Sequence, residues 1–279
     1  MSRIDRTAEG AGPFTTRLTW RLSDGGTAVW ESRLARKRGR LTVRAAGDSE
    51  SRSRSADNES VGRLRRLNAL AAGAFVVGGG LFASGAAVAQ FGPGDVTGAW
   101  IFFAGGLFFN AGGYVSLLQA VNAPRQDDGG AGELAARRWR WWSYEPGRID
   151  WLSTFVLFVG TLVFGINLLS SLLQGLSAQQ VNRLVWAPDM VGCTLFLISG
   201  HLALVEVCHG RPGIRPHELG WWIVAINQLG SVLFMASALA DFTRPATGGV
   251  VNIDIANWGT LTGALCFSVG GVLQYFERP

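Results

Sequence analysis

Lysine, histidine and cysteine are scarce in this chain of 279 residues. Lys37 is the single lysine, and the sequence has three histidines and three cysteines. The glycine run at residues 78–80 is followed by no lysine, which excludes a phosphate-binding loop there. The cysteines are odd in number and lack C-x-x-C spacing, so they indicate neither a disulfide framework nor a redox motif. We find no catalytic constellation, and the sequence predicts no metal, no cofactor and no enzymatic activity.

Charge is also missing from most of the chain beyond residue 66. The first 66 residues hold 15 of the 25 basic and 8 of the 20 acidic residues. Six apolar segments follow, each close to the roughly 20 residues that cross about 30 Å of hydrocarbon. We interpret them as transmembrane helices, because lipid requires every backbone polar group to be bonded internally. They cover residues 67–91, 96–121, 151–174, 184–208, 221–241 and 252–275.

The connections between these segments carry their basic residues on one side. The side that includes the N-terminal region has 23 of the 25 arginines and lysines, and the opposite side has only Arg183 and Arg244. Basic residues are enriched in cytoplasmic connections. We therefore predict a multi-pass protein of the plasma membrane with both termini in the cytoplasm.

The stretch RRWRWWSYEP at residues 137–146 combines arginines with aromatic rings. Such a composition fits nucleic-acid binding, with rings stacked on bases, or a membrane boundary, with indoles at the headgroup level. Its place just before the third apolar segment favours the membrane boundary, and we predict no nucleic-acid partner. The predicted interface residues are Arg137, Arg138, Trp139, Arg140, Trp141, Trp142, Tyr144, Trp151, Trp221 and Trp222.

A spaced glycine–phenylalanine pair recurs in all six segments. Residues four apart share one face of a helix, and small residues allow helices to approach closely in lipid. We therefore predict that each glycine forms a notch for a phenylalanine of a neighbouring helix, and that the chain forms three repeated hairpins at residues 67–121, 151–208 and 221–279. The predicted packing residues are Gly78, Phe82, Gly105, Phe109, Gly113, Gly160, Phe164, Gly192, Phe196, Gly200, Gly230, Phe234, Gly263, Phe267 and Gly271.

Three short motifs within this repeat resemble a known family. The stretches GTLVF at residues 160–164, GSVLF at 230–234 and GALCF at 263–267 resemble the YrhK-like domain, a bacterial two-helix membrane module of unassigned function. The first segment departs from the pattern, with Gly79 and Gly80 in place of the polar and small pair. The resemblance implies a membrane protein built from repeated hairpins and brings no catalytic residues.

The N-terminal 66 residues predict a small cytoplasmic head and a linker. Alternation of apolar and polar residues around Asp24-Gly25-Gly26 predicts a β-hairpin over residues 15–34. The basic run at residues 35–45 completes a head over residues 1–45, and it is suited to anionic lipid headgroups. Residues 46–66 include a Ser-, Arg- and acid-rich stretch and predict a disordered linker. Residues 122–150 and 209–220 form the other cytoplasmic connections.

Polar residues within the apolar segments are the default candidates for a binding site. The candidates are Asn167, Asp189, His201, Glu206 and Asn227. For Glu206 we also weigh a structural role at the cytoplasmic edge, with Arg211 or Arg278 as its partner.

The predicted fold class is an all-α integral membrane protein with six transmembrane helices and a small β-hairpin region. The leading function is a non-catalytic scaffold or sensor whose head binds lipid or a partner. The alternative is a transporter or channel for a small neutral solute. Homo-oligomerisation or another membrane partner stays open.

Overall fold

The computed structural model describes residues 6–22, 24–48, 50–55, 58–92, 97–126, 134–135, 138–211 and 213–277. Its N-terminal part is an antiparallel sheet in which five strands follow in chain order. The strands are β1 (Arg6–Ala11), β2 (Phe14–Arg21), β3 (Thr27–Glu31), β4 (Arg40–Arg44) and β5 (Ser51–Ser55). A short helix, α1 (Ser32–Arg38), lies between β3 and β4.

The predicted hairpin is present as β2 and β3. Trp20 pairs with Ala28 across the two strands, and the amide of Leu22 donates to the carbonyl of Gly26 at 2.8 Å to close the turn. Gly25 has φ of 80°, a left-handed conformation that glycine adopts without strain. Trp20, Ala28 and Leu41 form a buried core. The hairpin is stable because β4 completes the apolar face, which two strands alone would leave open.

The predicted disordered linker contains regular structure. β5 pairs with β4 along its whole length, and all of its residues are exposed. The helix α2 begins at Asn58, well before the first apolar segment. The linker prediction rested on the absence of residues to bury, whereas β5 is joined to the sheet by backbone hydrogen bonds that composition does not reveal.

The remaining chain is mostly helical. Five helical stretches are long and apolar enough to cross a membrane: Asn58–Phe91, Thr97–Val121, Ile149–Ser170, Ala178–Val207 and Leu219–Ala240. The elements in this part are α2 (Asn58–Phe91), α3 (Thr97–Val121), β6 (Arg125–Gln126), β7 (Leu134–Ala135), α4 (Ile149–Ser170), α5 (Ala178–Val181), a π-helical turn (Asn182–Trp186), α6 (Ala187–Val207), α7 (Leu219–Ala240) and α8 (Ile253–Phe276). The apolar helices indicate a membrane protein.

The six long helices form a closed ring. In the order α2, α3, α4, α6, α7 and α8, each packs chiefly against its two neighbours, and α8 packs against α2 to complete the circle. Large apolar side chains such as Leu107, Ile166 and Leu229 are more than half exposed on the outside. A continuous apolar exterior of this kind suits contact with lipid.

The six long helices form three pairs of neighbours, which are α2 with α3, α4 with α6, and α7 with α8. Within each helix pair, a glycine of either helix contacts a phenylalanine of the other. A Cβ atom added to Gly78 would lie 2.7 Å from the ring of Phe109, and one added to Gly105 would lie 2.8 Å from the ring of Phe82. The same exchange joins α4 to α6 and α7 to α8. Its members are Gly160 with Phe196, Gly192 with Phe164, Gly230 with Phe267, and Gly263 with Phe234.

The last glycine of each of α3, α6 and α8 contacts the next helix pair instead. Gly113 lies against Thr161 of α4, Gly200 against Gln228 of α7, and Gly271 against the carbonyl of Ala72 in α2. Small residues therefore stand at contacts within and between the pairs, which permits the close helix spacing around the ring.

Candidate functional site

Six phenylalanine rings fill the middle of the helix ring. Phe82, Phe164 and Phe234 form one triangle, with ring centroids 5.5 to 6.3 Å apart. The second group consists of Phe109, Phe196 and Phe267. In it the centroid of the Phe267 ring lies 5.5 Å from that of Phe109 and 6.2 Å from that of Phe196. Each ring of the first group also packs on one of the second, at 5.2 to 5.8 Å. We call these six side chains the phenylalanine septum.

A polar cavity of about 210 Å³ lies against the first triangle of the septum. We call it the far-side cavity. Its wall includes Phe82 and Phe164 together with Asn167, Asp189 and Asp241. Burial raises the pKa of Asp241, which follows the last residue of α7, to about 6.

A second cavity, of about 110 Å³, lies against Phe196 and Phe267 of the other group. We call it the head-side cavity, because the helix α1 of the head forms part of its wall. Most of its polar lining is hydroxyl or amide, from Ser116, Ser153, Thr154, Ser199, Asn227, Ser231 and Gln274. Three basic residues of α1 complete it: Arg33, Arg36 and Lys37.

Buried ion pairs hold α1 in this position. The Arg33 guanidinium donates two hydrogen bonds of 3.0 Å to the carboxylate of Glu277. The Glu206 carboxylate is fully buried and accepts from Ser32 Oγ at 2.8 Å and from Arg36 Nη2 at 2.9 Å. Burial opposes the charge of Arg36, but the carboxylates of Glu206 and Asp150 outweigh it and raise the Arg36 pKa above its usual value.

Lys37 differs from its neighbours because its hydrogen-bond partner is neutral. Its Nζ donates to Asn68 Oδ1 at 2.8 Å, and Asn68 is in turn joined by two hydrogen bonds to Gln274. The side chain is buried, with 5% of the residue exposed. Burial, followed by repulsion from Arg36, lowers the pKa of the Lys37 ammonium well below its usual value.

These contacts change two interpretations of the sequence. Arg36 and Lys37 belong to the basic run predicted to meet lipid headgroups, but both are buried against the helix ring. Glu206 was predicted to pair with Arg211 or Arg278, and the structure pairs it with Arg36 instead; Arg278 lies outside the described residues. Both corrections have one cause: α1 docks on helices far away in sequence.

The other predicted binding residues are divided between locations. Asn167 and Asp189 line the far-side cavity, and Asn227 lines the head-side cavity. His201 is exposed and lines neither of these two cavities. Arg33, Arg36 and Lys37 are not among the predicted site residues, although Lys37 is the single lysine of the chain.

The predicted interface residues are largely at the surface. Trp141, Trp142, Tyr144 and Trp222 are among the exposed large side chains; Arg138 and Arg140 are exposed as well, and Trp139 and Trp221 are partly exposed. Trp151 differs, because it is 1% exposed and stacks on Phe155 with ring centroids 4.7 Å apart. Arg137 lies outside the described residues.

No family model, curated protein or solved structure matches this chain. The resemblance to the YrhK-like domain therefore stays a prediction. Among the residues that the structure describes, no group of three or more histidine, cysteine, aspartate or glutamate side chains could hold a metal ion.

Proposed function

We propose that the chain is a six-span protein of the plasma membrane that forms a gated path for a small solute. In this proposal α8 is the sixth span, the three helix pairs are repeats, and both termini are cytoplasmic. The position of α8 between α7 and α2 supports the sixth span. The concentration of basic residues on the head side supports the orientation.

The observation that carries the proposal is the arrangement of two cavities, each with polar residues in its wall, on opposite faces of the phenylalanine septum. A ring of apolar side chains between wetted spaces can close a path by excluding water, and it opens when the rings separate. The two cavities measure about 110 and 210 Å³. Sites for drug-sized ligands occupy roughly 300–1,000 Å³, so these cavities suit a small solute.

The head supplies a second closure in this proposal. α1 covers the head-side cavity and is held by Glu206 and Glu277, which belong to different helix pairs. Because α1 continues directly from β3 and leads into β4, a ligand or partner that shifts the sheet would also shift α1. The head therefore acts as the sensor and the helix ring as the path.

Solute flux into proteoliposomes tests the path. Phe267→Ala removes a ring that contacts three other members of the septum. We expect this variant to raise the permeability to small solutes such as urea and formamide at least about tenfold over the wild type, measured by stopped-flow light scattering. Phe276→Ala is the matched control, because Phe276 is on the same helix and is 59% exposed.

A second variant opens the other closure. Glu277→Gln weakens the docking of α1, and combined with Phe267→Ala it should give more flux than Phe267→Ala alone. The proposal is wrong if neither variant conducts more than protein-free liposomes while circular dichroism and size exclusion show a folded protein. The remaining function would then be a scaffold or sensor without a path.

A further inference from the structure

Lys37 is a buried basic residue that lacks a carboxylate partner of its own. Arg33 is paired with Glu277, and Arg36 is paired with Glu206. The one hydrogen bond of Lys37 Nζ among the described residues goes to the amide oxygen of Asn68. An ammonium group has three donors, so the side chain retains capacity for further acceptors.

The wall of the head-side cavity has an excess of positive charge. Arg33, Arg36 and Lys37 all line it, and no aspartate or glutamate is among its lining residues in the described part of the chain. The two carboxylates that bind the arginines, Glu206 and Glu277, are not among the lining residues. Asp150, the third nearby acid, is 4.0 Å from Arg36 Nε and also binds Arg148, which pairs with Glu145 as well. Each arginine of α1 therefore has a carboxylate partner, whereas the hydrogen-bond partner of Lys37 is neutral.

A second observation indicates an incomplete set of partners at the same wall. Arg36 is 5% exposed, and its Nε has no hydrogen-bond partner among the described residues. A buried donor without an acceptor costs free energy, and such groups often mark an ion or water that completes the site. Arg36 and Lys37 are consecutive residues, and both contribute to one cavity.

We propose that the head-side cavity binds a small monovalent inorganic anion, such as chloride or nitrate, next to Lys37 and Arg36. This inference rests on the proposed function for its role, as the site at the head-side end of the path. The site itself requires only that α1 be docked. An anion there would accept hydrogen bonds from Lys37 Nζ and from Arg36 Nε, which has no hydrogen-bond partner among the described residues.

Cavity size limits the anion to a small one. A volume of about 110 Å³ accommodates a monatomic or small polyatomic ion with some of its water, since one water needs about 10–15 Å³ on this measure. The apolar Phe196 and Phe267 close the other end of the cavity. A sugar acid such as gluconate is too large, and it serves as the non-binding anion in the test.

Anion binding and the protonation of Lys37 should be linked. The charged groups that act on Lys37 are Arg33 and Arg36 of α1, Glu206 of α6 and Glu277 beyond α8. Without an anion, burial and the two arginines favour the neutral amine. An anion beside Nζ favours the ammonium, so the Lys37 pKa should rise when the anion binds.

The single lysine allows a direct measurement on the unmodified protein. Biosynthetic labelling with ¹³C-lysine places one labelled residue in the full chain, and its Cε and Hε resonances report the protonation state of Lys37. We expect the pKa to be at least about one unit higher in sodium chloride than in sodium gluconate at equal ionic strength, in nanodiscs. One unit means that the ammonium form binds the anion about tenfold more tightly than the amine form.

Thermal unfolding supplies the control. Chloride should raise the unfolding midpoint of the wild type over gluconate and have no such effect on Lys37→Met. Arg38→Met is the matched control, because it removes a positive charge from the same turn of α1 and Arg38 does not line the cavity. It should keep the chloride effect.

The inference is overturned if the Lys37 resonances and the unfolding midpoint are the same in chloride and gluconate. If urea still passes through the Phe267→Ala variant in that case, the path stands and the anion site falls. If the resonances respond to chloride but no variant conducts any solute, the anion site stands and the proposed path falls.

Discussion

Glu206→Gln tests whether α1 is held to the helix ring by a buried ion pair. The substitution keeps the shape of the side chain and removes its charge. Glu206 is 0% exposed and binds Ser32 at 2.8 Å and Arg36 at 2.9 Å. Removing one partner of a buried ion pair typically costs about 3–5 kcal/mol, because the other charge stays buried without compensation. Asp150 at 4.0 Å compensates Arg36 in part, so we expect about 3 kcal/mol.

Hydrogen exchange followed by mass spectrometry measures this loss locally. About 3 kcal/mol corresponds to roughly a 100-fold faster exchange of the α1 amides, because 1.36 kcal/mol is tenfold. The sheet strands should keep their protection, since the core of Trp20, Ala28 and Leu41 does not involve Glu206. The double variant Arg36→Met/Glu206→Gln removes both charges and should exchange more slowly than the single variant, with a coupling energy of roughly 1–3 kcal/mol.

Glu218→Gln is the control for this measurement. Glu218 forms an ion pair with Arg215 at 3.1 Å, but their side chains are 51% and 31% exposed. Exposed pairs contribute about 0–1 kcal/mol, so exchange in α1 should be unchanged. If Glu206→Gln alters α1 exchange by less than about threefold, the ion pair does not hold α1 and the docking argument fails.

Three further predictions concern the helix ring. Gly105→Ala should lower the free energy of unfolding by about 1–3 kcal/mol, because its Cβ would lie 2.8 Å from the Phe82 ring. Gly73→Ala is the control: a Cβ atom there meets open space, so the variant should be neutral or stabilising. Asp241→Asn should flatten the pH dependence of stability: a pKa raised to about 6 means that stability is lost as pH rises through 6, and the amide removes that loss. Gln119→Glu should lower the denaturation midpoint at neutral pH, because Gln119 is 0% exposed and donates to the carbonyl of Leu64, and a carboxylate there would be a buried charge. The midpoint should return toward the wild-type value in acid, where the carboxyl group is neutral.

The helical part of the fold was accessible from the sequence because length and apolar composition determine it. Five of the predicted segments correspond to helices that could cross a membrane, and the sixth corresponds to α8, which carries more polar residues. The glycine–phenylalanine spacing also indicated contacts, because residues four apart share a helix face. It did not indicate that the six rings would meet at the centre, since spacing along one helix leaves its rotation about its axis undetermined.

The docking of α1 could not be predicted from the sequence. Its main contacts join residues 170 and 244 positions apart, Arg36 with Glu206 and Arg33 with Glu277. A basic run next to a membrane protein has an obvious partner in anionic lipid, and composition alone cannot distinguish lipid from buried glutamate. The polar candidates were found because burial of polar groups in apolar helices is costly. The division of these candidates between two cavities depends on how the helices pack against one another, which no local sequence pattern specifies.

Each of the three helix pairs has a polar residue at an equivalent place near the end of its second helix. The helix α1 binds two of these three residues. Gln119, Glu206 and Glu277 each follow the last glycine of their helix by six residues. Glu206 and Glu277 receive Arg36 and Arg33, whereas Gln119 bonds to the backbone of α2. One short helix cannot present an arginine to three positions around a ring, and a third carboxylate without a cation would be buried at high cost. The neutral residue at position 119 thus matches the place that α1 leaves without an arginine.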